Sequence, residues 1–286
     1  MAGTRGRGSG LREKRGLIFT ADDFGLDVAV NEAVERAHRE GVLTAASLMV
    51  AAPAAADAVA RARRLPRLRV GLHLVLADGP AVLPRSRIPD LADENGRFGS
   101  AMARDGVRFF FVPRVRRQLA AEIRAQFEAF AATGLRLDHV NAHKHFHLHP
   151  TVLSLILESG RAFGLRALRL PAEPGMPAWL APWIALMRRR LERAGIAHND
   201  FVFGIKRSGA MDEAAMLAAL ERPPPGVSEI YCHPATRDGL TAAMRAYRHR
   251  DELAALCSPR VRARLAELRL PTGGFSDLLP QAGASA

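Results

Sequence analysis

Apolar and polar residues switch repeatedly between two periods along this chain. Residues 17–21 form a short apolar run bounded by charge, Asp27 stands where a helix N-cap belongs, and residues 28–41 carry an apolar stripe at helical spacing. The predicted unit is a strand feeding a helix. It recurs at 46–50, followed by a helix over 54–64, then at 70–75, and at 135–140, followed by a helix opening at Pro150. Further strands are expected at 167–170 and 229–233. Pro150 suits the first helical position because it lacks the N–H that would go unpaired there. Alternation of this kind predicts a parallel α/β fold. Residues 76–108 are rich in Pro, Asp and Gly with little periodicity, which predicts a functional loop or lid rather than a mere connection.

The polar residues fall at the carboxyl ends of these strands. Asp22 and Asp23 follow the first, His73 lies late in the third, His143 follows the fourth, Arg169 lies late in the fifth and His233 ends the sixth. In a (β/α) barrel that rim gathers ligands and catalytic groups from strands distant in sequence. An open doubly wound sheet would want a Gly-rich phosphate turn after its first strand, and Asp22-Asp-Phe-Gly25 is not one. The expected fold is α/β, a distorted (β/α) TIM-like barrel with mostly parallel strands.

Five histidines crowd one segment: His139, His143, His145, His147 and His149. In an extended strand the last four would share one face. A row of imidazoles with a carboxylate nearby is metal chemistry. At a rise of about 3.3 Å per residue, His143 and His147 would stand roughly 13 Å apart, too far to share one ion. One member of the row is therefore expected to ligate, and spacing alone does not separate His143 from His145. With Asp23 and His73 it would make an Asp/His/His set that leaves positions open for water and substrate. His145, His147 and Arg169 are expected to face substrate. Neighbouring strand residues point opposite ways, so Asp22 is read as the general base, with capping of the next helix or pairing to Arg169 as its structural alternatives. His233, on another strand end, is the candidate acid for a leaving amine.

At 286 residues and 48% hydrophobic content the chain suits one large domain. The barrel is expected over 17–270, between a basic, Gly-rich, disordered tail at 1–16 and a C-terminal tail at 271–286. Forty-one Lys and Arg against 29 Asp and Glu give a net charge of +12 and favour anionic partners. No nucleic-acid-binding pattern accompanies that charge, so nucleic acid is not expected. An anionic membrane surface is the preferred partner, because residues 179–193 combine Trp179 and Trp183 with four arginines, the composition of an interfacial segment. Cys232 and Cys257 have no partner at redox or metal spacing, which fits the cytoplasm. Peripheral contact with the inner membrane is the accompanying expectation.

Four motifs, Thr20-Ala-Asp-Asp-Phe-Gly25, Gly71-Leu-His-Leu74, Asn141-Ala-His-Lys-His-Phe-His-Leu-His-Pro150 and Tyr231-Cys-His-Pro-Ala235, together resemble the YdjC-like carbohydrate deacetylases, specifically their hopanoid-biosynthesis-associated branch. The resemblance implies a barrel related to polysaccharide deacetylases and one divalent metal ion, Mg or Zn. It further implies removal of the N-acetyl group from an amino sugar, here an N-acetylglucosaminyl glycolipid of the hopanoid type. On that pattern Asp23, His73 and His143 match the metal positions, Asp22 the base and His233 the acid. Asn141 departs from it, since relatives with an Asp-Ser-His run carry aspartate there. The competing readings are a deacetylase of soluble N-acetylated sugars, a metal-dependent phosphoesterase, and a non-catalytic lipid-binding module. Oligomeric state stays open, a homodimer among the options.

Overall fold

The computed structural model describes residues 15–279. Its framework is a six-stranded parallel sheet in the order β4-β3-β2-β1-β6-β5. In chain order, β1 (Gly16–Phe24) leads into α1 (Val28–Glu40), β2 (Ala45–Leu48) into α2 (Ala55–Arg63), and β3 (Arg69–Leu74) into α3 (Met102–Phe111) and α4 (Pro113–Ala132). Then come β4 (Val140–Ala142), α5 (Pro150–Ala162), α6 (Ala181–Arg193), β5 (Phe201–Phe203), α7 (Glu213–Ala219) and β6 (Val227–Cys232). Helices α8 (His249–Leu256), α9 (Pro259–Leu268) and α10 (Phe275–Leu278) complete the described chain.

Strands β1 and β6 are buried along their whole length, as parallel strands covered on both faces must be. Helix α1 buries Ala29, Val30, Ala33, Val34 and Ala37 against them, and its N-cap Asp27 accepts the Ala29 N–H. Pro150 opens α5 as its position predicts. The two edges of the sheet are joined through residues 166–172. Val140 N–H donates to Ala167 O at 3.0 Å, Leu168 N–H to Ala197 O at 2.9 Å, and Val202 N–H to Ala172 O at 3.0 Å. The result is a distorted, irregularly closed (β/α) barrel.

Several expected boundaries move. Residues 167–170 make isolated bridges on either side instead of a strand, and β5 emerges where no strand was expected. The fourth strand is Val140–Ala142, not 135–140, and the histidine row beyond it is not extended at all. Residues 143–148 form a tight 3₁₀ turn, with Lys144 and His145 at φ of 53° and 54°, in the left-handed region that costs a side-chain-bearing residue about 1–2 kcal/mol. Of the expected lid, Met102 onward is helical, and the remainder carries the isolated bridges Pro80–Arg97 and Ala92–Phe98. The expected N-terminal tail lies outside the described residues up to 14, while Gly16 is already in β1. Nor is the segment after 270 a free tail as far as it is described. Thr272 bridges Leu17, and the Phe275 ring is fully buried beneath the barrel.

Candidate active site

The carboxyl ends of β1, β3, β4 and β6 open onto a cleft lined by Asp22, His73, His143, His145, Tyr231 and His233, with Lys144, Asp78, Ser208 and Tyr247 adding polar groups. Leu26, Met49, Ile205 and Met244 supply its apolar wall.

Asp22 and Asp23 are neighbours on β1, yet both carboxylates serve this site. The β1–β2 register slips between Ala21 and Phe24, and Asp23 sits at φ 61°, which breaks the alternation of a regular strand. Asp23 Oδ1 lies 3.2 Å from His73 Nε2 and 3.1 Å from His143 Nδ1, and those two nitrogens are 3.3 Å apart. Asp23, His73 and His143 thus converge, all buried, with ligand atoms within 4.8 Å of one another. Asp23 Oδ2 is buried without a partner. His73 Nδ1 faces Asn141 Oδ1 at 2.6 Å, which fixes the proton on that nitrogen and leaves Nε2 as a lone-pair donor. One carboxylate and two imidazoles aimed at a common point fit a divalent cation.

Asp22 is held from behind. Arg169 donates Nη1 to Oδ2 at 2.6 Å and Nη2 to Oδ1 at 2.9 Å, while Ser47 Oγ and Asn141 Nδ2 reach Oδ1 at 3.1 and 3.0 Å. Oδ2 therefore keeps the freer lone pair. Arg169 also binds Glu229 through Nε at 2.8 Å and Nη2 at 2.7 Å, and Thr20 Oγ1 donates to Glu229 at 2.7 Å. Burial pushes the Asp22 carboxyl upward, but the adjacent Arg169 guanidinium overrides it and holds the group well below the ordinary carboxylate range.

The expected substrate contacts divide. His145 lines the cleft, its Nε2 3.0 Å from Tyr231 Oη, and burial keeps it neutral. His147 does not face the cleft. It is fully buried, with Nε2 3.1 Å from Arg169 O, because the 3₁₀ turn rotates alternate histidines away from one another. Arg169 is likewise fully buried, and its guanidinium is taken up by Asp22 and Glu229, so it positions a carboxylate instead of touching substrate.

His233 directly follows β6, its Nε2 4.0 Å from Asp23 Oδ2. Burial lowers it, with the Asp23 and Asp22 charges partly offsetting. Its backbone is clamped from α8: Glu252 accepts the His233 N–H, and His249 Nδ1 meets the His233 carbonyl at 2.6 Å. Sequence reading missed Glu229, Glu252 and His249, whose spacings carry no motif. It also missed Ser47, Tyr231 and Tyr247 as members of the site.

The sequence profile of YdjC-like proteins matches residues 16–267, nearly the whole described barrel. The chain belongs to the YdjC-like family. A carbohydrate deacetylase of Brevibacillus brevis is 30% identical over 265 residues, covering 92% of this chain and 99% of its own. A chitooligosaccharide deacetylase of Serratia marcescens is 32% identical over 269 residues, covering 92% and 98%. In three dimensions the chain superimposes on an Enterococcus faecalis protein described as a candidate cellobiose-phosphate cleavage protein. That match has a TM-score of 0.75 and 26% identity, and covers 94% of this chain and all of the other.

Proposed function

We propose that the chain is a metal-dependent carbohydrate N-deacetylase acting on an N-acetylglucosaminyl glycolipid of the hopanoid type. Full-length likeness to curated carbohydrate deacetylases supports the deacetylase activity. The observation that carries the chemistry is the convergence of Asp23, His73 and His143 beside the tethered Asp22. The cation they would hold supplies Lewis acidity toward water and the amide oxygen. Two imidazoles in the set favour zinc over magnesium, which prefers an all-oxygen shell. Asp22 Oδ2 takes a proton from the attacking water, the acetyl C–O bond forms, the C–N bond breaks, and His233 hands a proton, replaced by the one taken from the water, to the departing amine. The products are acetate and the free amino sugar. Tyr231, Tyr247, Ser208 and Lys144 offer hydrogen bonds to sugar hydroxyls, and Met49 and Leu26 offer an apolar seat for the acetyl methyl.

A lipid-borne substrate is favoured by an exposed apolar surface elsewhere on the molecule. Among the described residues, six of the seven exposed large apolar side chains fall on two stretches: Val107, Phe110, Phe111 and Val112, and Trp179 and Leu186. The stretches meet at the start of α5, where His149 lies 6.3 Å from Phe110 and Trp183 Nε1 donates to Leu148 O. Exposed Arg116, Arg117, Arg189 and Arg193 give this region a positive charge suited to an anionic bilayer. Among the described residues no helix is long and apolar enough to cross a membrane; the docking in this reading is peripheral. Trp183 and Arg188 are engaged within the protein, which leaves Trp179 and the α3 phenylalanines as the docking groups.

Acetate release from an N-acetylglucosaminyl lipid and from N,N′-diacetylchitobiose, with and without chelator, tests the activity. Phosphate release from generic esters with no acetate would favour the phosphoesterase instead. Sedimentation with phosphatidylglycerol vesicles tests the surface: the Phe110→Ser, Phe111→Ser, Trp179→Ser variant should stay in solution while still deacetylating N,N′-diacetylchitobiose. Equal sedimentation of variant and wild type removes the docking reading.

A further inference from the structure

Four buried side chains run in unbroken contact from the floor of the barrel to the site. Asp138 Oδ2 lies 3.0 Å from His139 Nδ1, His139 Nε2 lies 3.1 Å from Ser47 Oγ, and Ser47 Oγ lies 3.1 Å from Asp22 Oδ1. Asp138, His139 and Ser47 are all closed to solvent, and none belongs to the cleft lining or the ligand set.

The surrounding structure is shaped around this line. One face of the His139 ring stacks on Phe275 at 4.5 Å between centroids and an 18° tilt. At Gly71 on β3, a Cβ would stand 2.5 Å from His139 Cε1, so the absent side chain makes room for the imidazole. Asp138 is fixed in turn by the chain entering α10: Phe275 N–H donates to its Oδ2 at 3.1 Å and Ser276 N–H to its Oδ1 at 3.0 Å. Burial opposes ionisation of Asp138, but the His139 hydrogen bond and these N–H groups bring it down to about 2.

Counting hydrogens gives the line a direction. Ionised Asp138 accepts from His139 Nδ1. Ser47 Oγ has one hydrogen and two lone pairs, and Asn141 Nδ2 already donates to it at 2.9 Å. Every remaining contact is a hydrogen bond when His139, with a hydrogen on each ring nitrogen and Asp138 as its counter-charge, donates Nε2–H to Ser47 and Ser47 donates to Asp22. With its Oδ1 occupied this way, Asp22 has Oδ2 as its reacting oxygen.

We propose that Asp138, His139 and Ser47 are positioning residues for Asp22, locking the rotation of its carboxylate from the barrel floor, with residues 274–276 as the anchor. The proposal rests on Asp22 being the base, and the two can be tested separately. In kinetics on N,N′-diacetylchitobiose, Ser47→Ala should lower kcat by ~10- to 100-fold, the cost of a misoriented reacting group, with KM, metal content and melting temperature close to wild type. Ser47→Thr, which keeps the hydroxyl, should recover most of that loss. An unchanged kcat in Ser47→Ala, or a loss that only tracks a lowered melting temperature, overturns the proposal. The second arm needs no turnover. In ¹H–¹⁵N spectra of the histidines, with His139 assigned by omission in His139→Gln, Asp22→Asn should shift the His139 Nε2 resonance, and Ser47→Ala should abolish that response. An Nε2 resonance indifferent to Asp22→Asn overturns the proposal. A wild type that releases no acetate but shows the coupled shift refutes the role of Asp22 as base and leaves the connection standing.

Discussion

Arg169 grips Asp22 through two parallel hydrogen bonds, Nη1 to Oδ2 at 2.6 Å and Nη2 to Oδ1 at 2.9 Å, with neither side chain open to solvent. The same guanidinium holds Glu229, so one planar cation sets the attitude of two buried carboxylates. Lysine brings the charge without the fork. Arg169→Lys should therefore cost about 1.5–3 kcal/mol of stability in urea titrations, the range for losing hydrogen bonds to a charged group while the charge is kept. It should also lower kcat by about 100-fold through misplacement of Asp22. Wild-type kinetics in this variant would dissociate Arg169 from the chemistry.

Asp22→Asn removes the carboxylate charge but keeps the shape of the side chain. Turnover should fall by ~10²- to 10⁴-fold, the usual worth of a general base. Metal content, measured by atomic emission on the purified variant, should stay at the wild-type level because Asp23, His73 and His143 are untouched. The melting temperature should drop, since Arg169 keeps only Glu229 as a charged partner. Retained turnover would rule out Asp22 as the base.

Asn141 touches the Asp23, His73 and His143 cluster directly, through His73. Its Oδ1 receives His73 Nδ1 at 2.6 Å, and a carboxylate there would make the ring a stronger donor. Asn141→Asp should tighten zinc binding by about tenfold or more in competition with a chromophoric chelator, as outer-shell partners of ligating histidines do. Unchanged affinity would show that the His73 orientation does not limit binding.

Acid sensitivity has a traceable source in His147. Burial, reinforced by the Arg169 charge, brings this imidazole from its ordinary 6.5 down to about 3. The unfolded chain takes up a proton near 6.5 while the folded one does not. The stabilisation is therefore complete above that pH and is lost as pH falls toward 3. His147→Gln should flatten this slope, so that its urea midpoint falls less than that of wild type between pH 7 and pH 4. Parallel slopes would remove His147 as a cause.

The strand–helix alternation and the convergence of polar residues at strand ends were readable because they follow from hydrophobic period and from where parallel strands deliver their carboxyl termini. Asp23, His73 and His143 come together as the motifs imply. The histidine row was misread because spacing assumes a backbone: the left-handed Lys144 and His145 fold it into a turn, sending His145 to the cleft and His147 into the core. The rule that neighbouring strand residues diverge also failed at Asp22 and Asp23, where a register slip aims both carboxylates at one site. Glu229 and Glu252 were invisible for another reason. A lone carboxylate in an apolar strand or helix has no sequence signature until its buried partner, Arg169 or the His233 N–H, is known.

The bridge from Thr272 to Leu17 and the burial of Phe275 order events during biosynthesis. Every strand leaves the ribosome before residues 272–276 do, so the underside of the nascent barrel stays uncapped until translation has passed them. Such end-to-end pairing is slow to form. The interval exposes apolar surface to other chains, and holdase chaperones would act there.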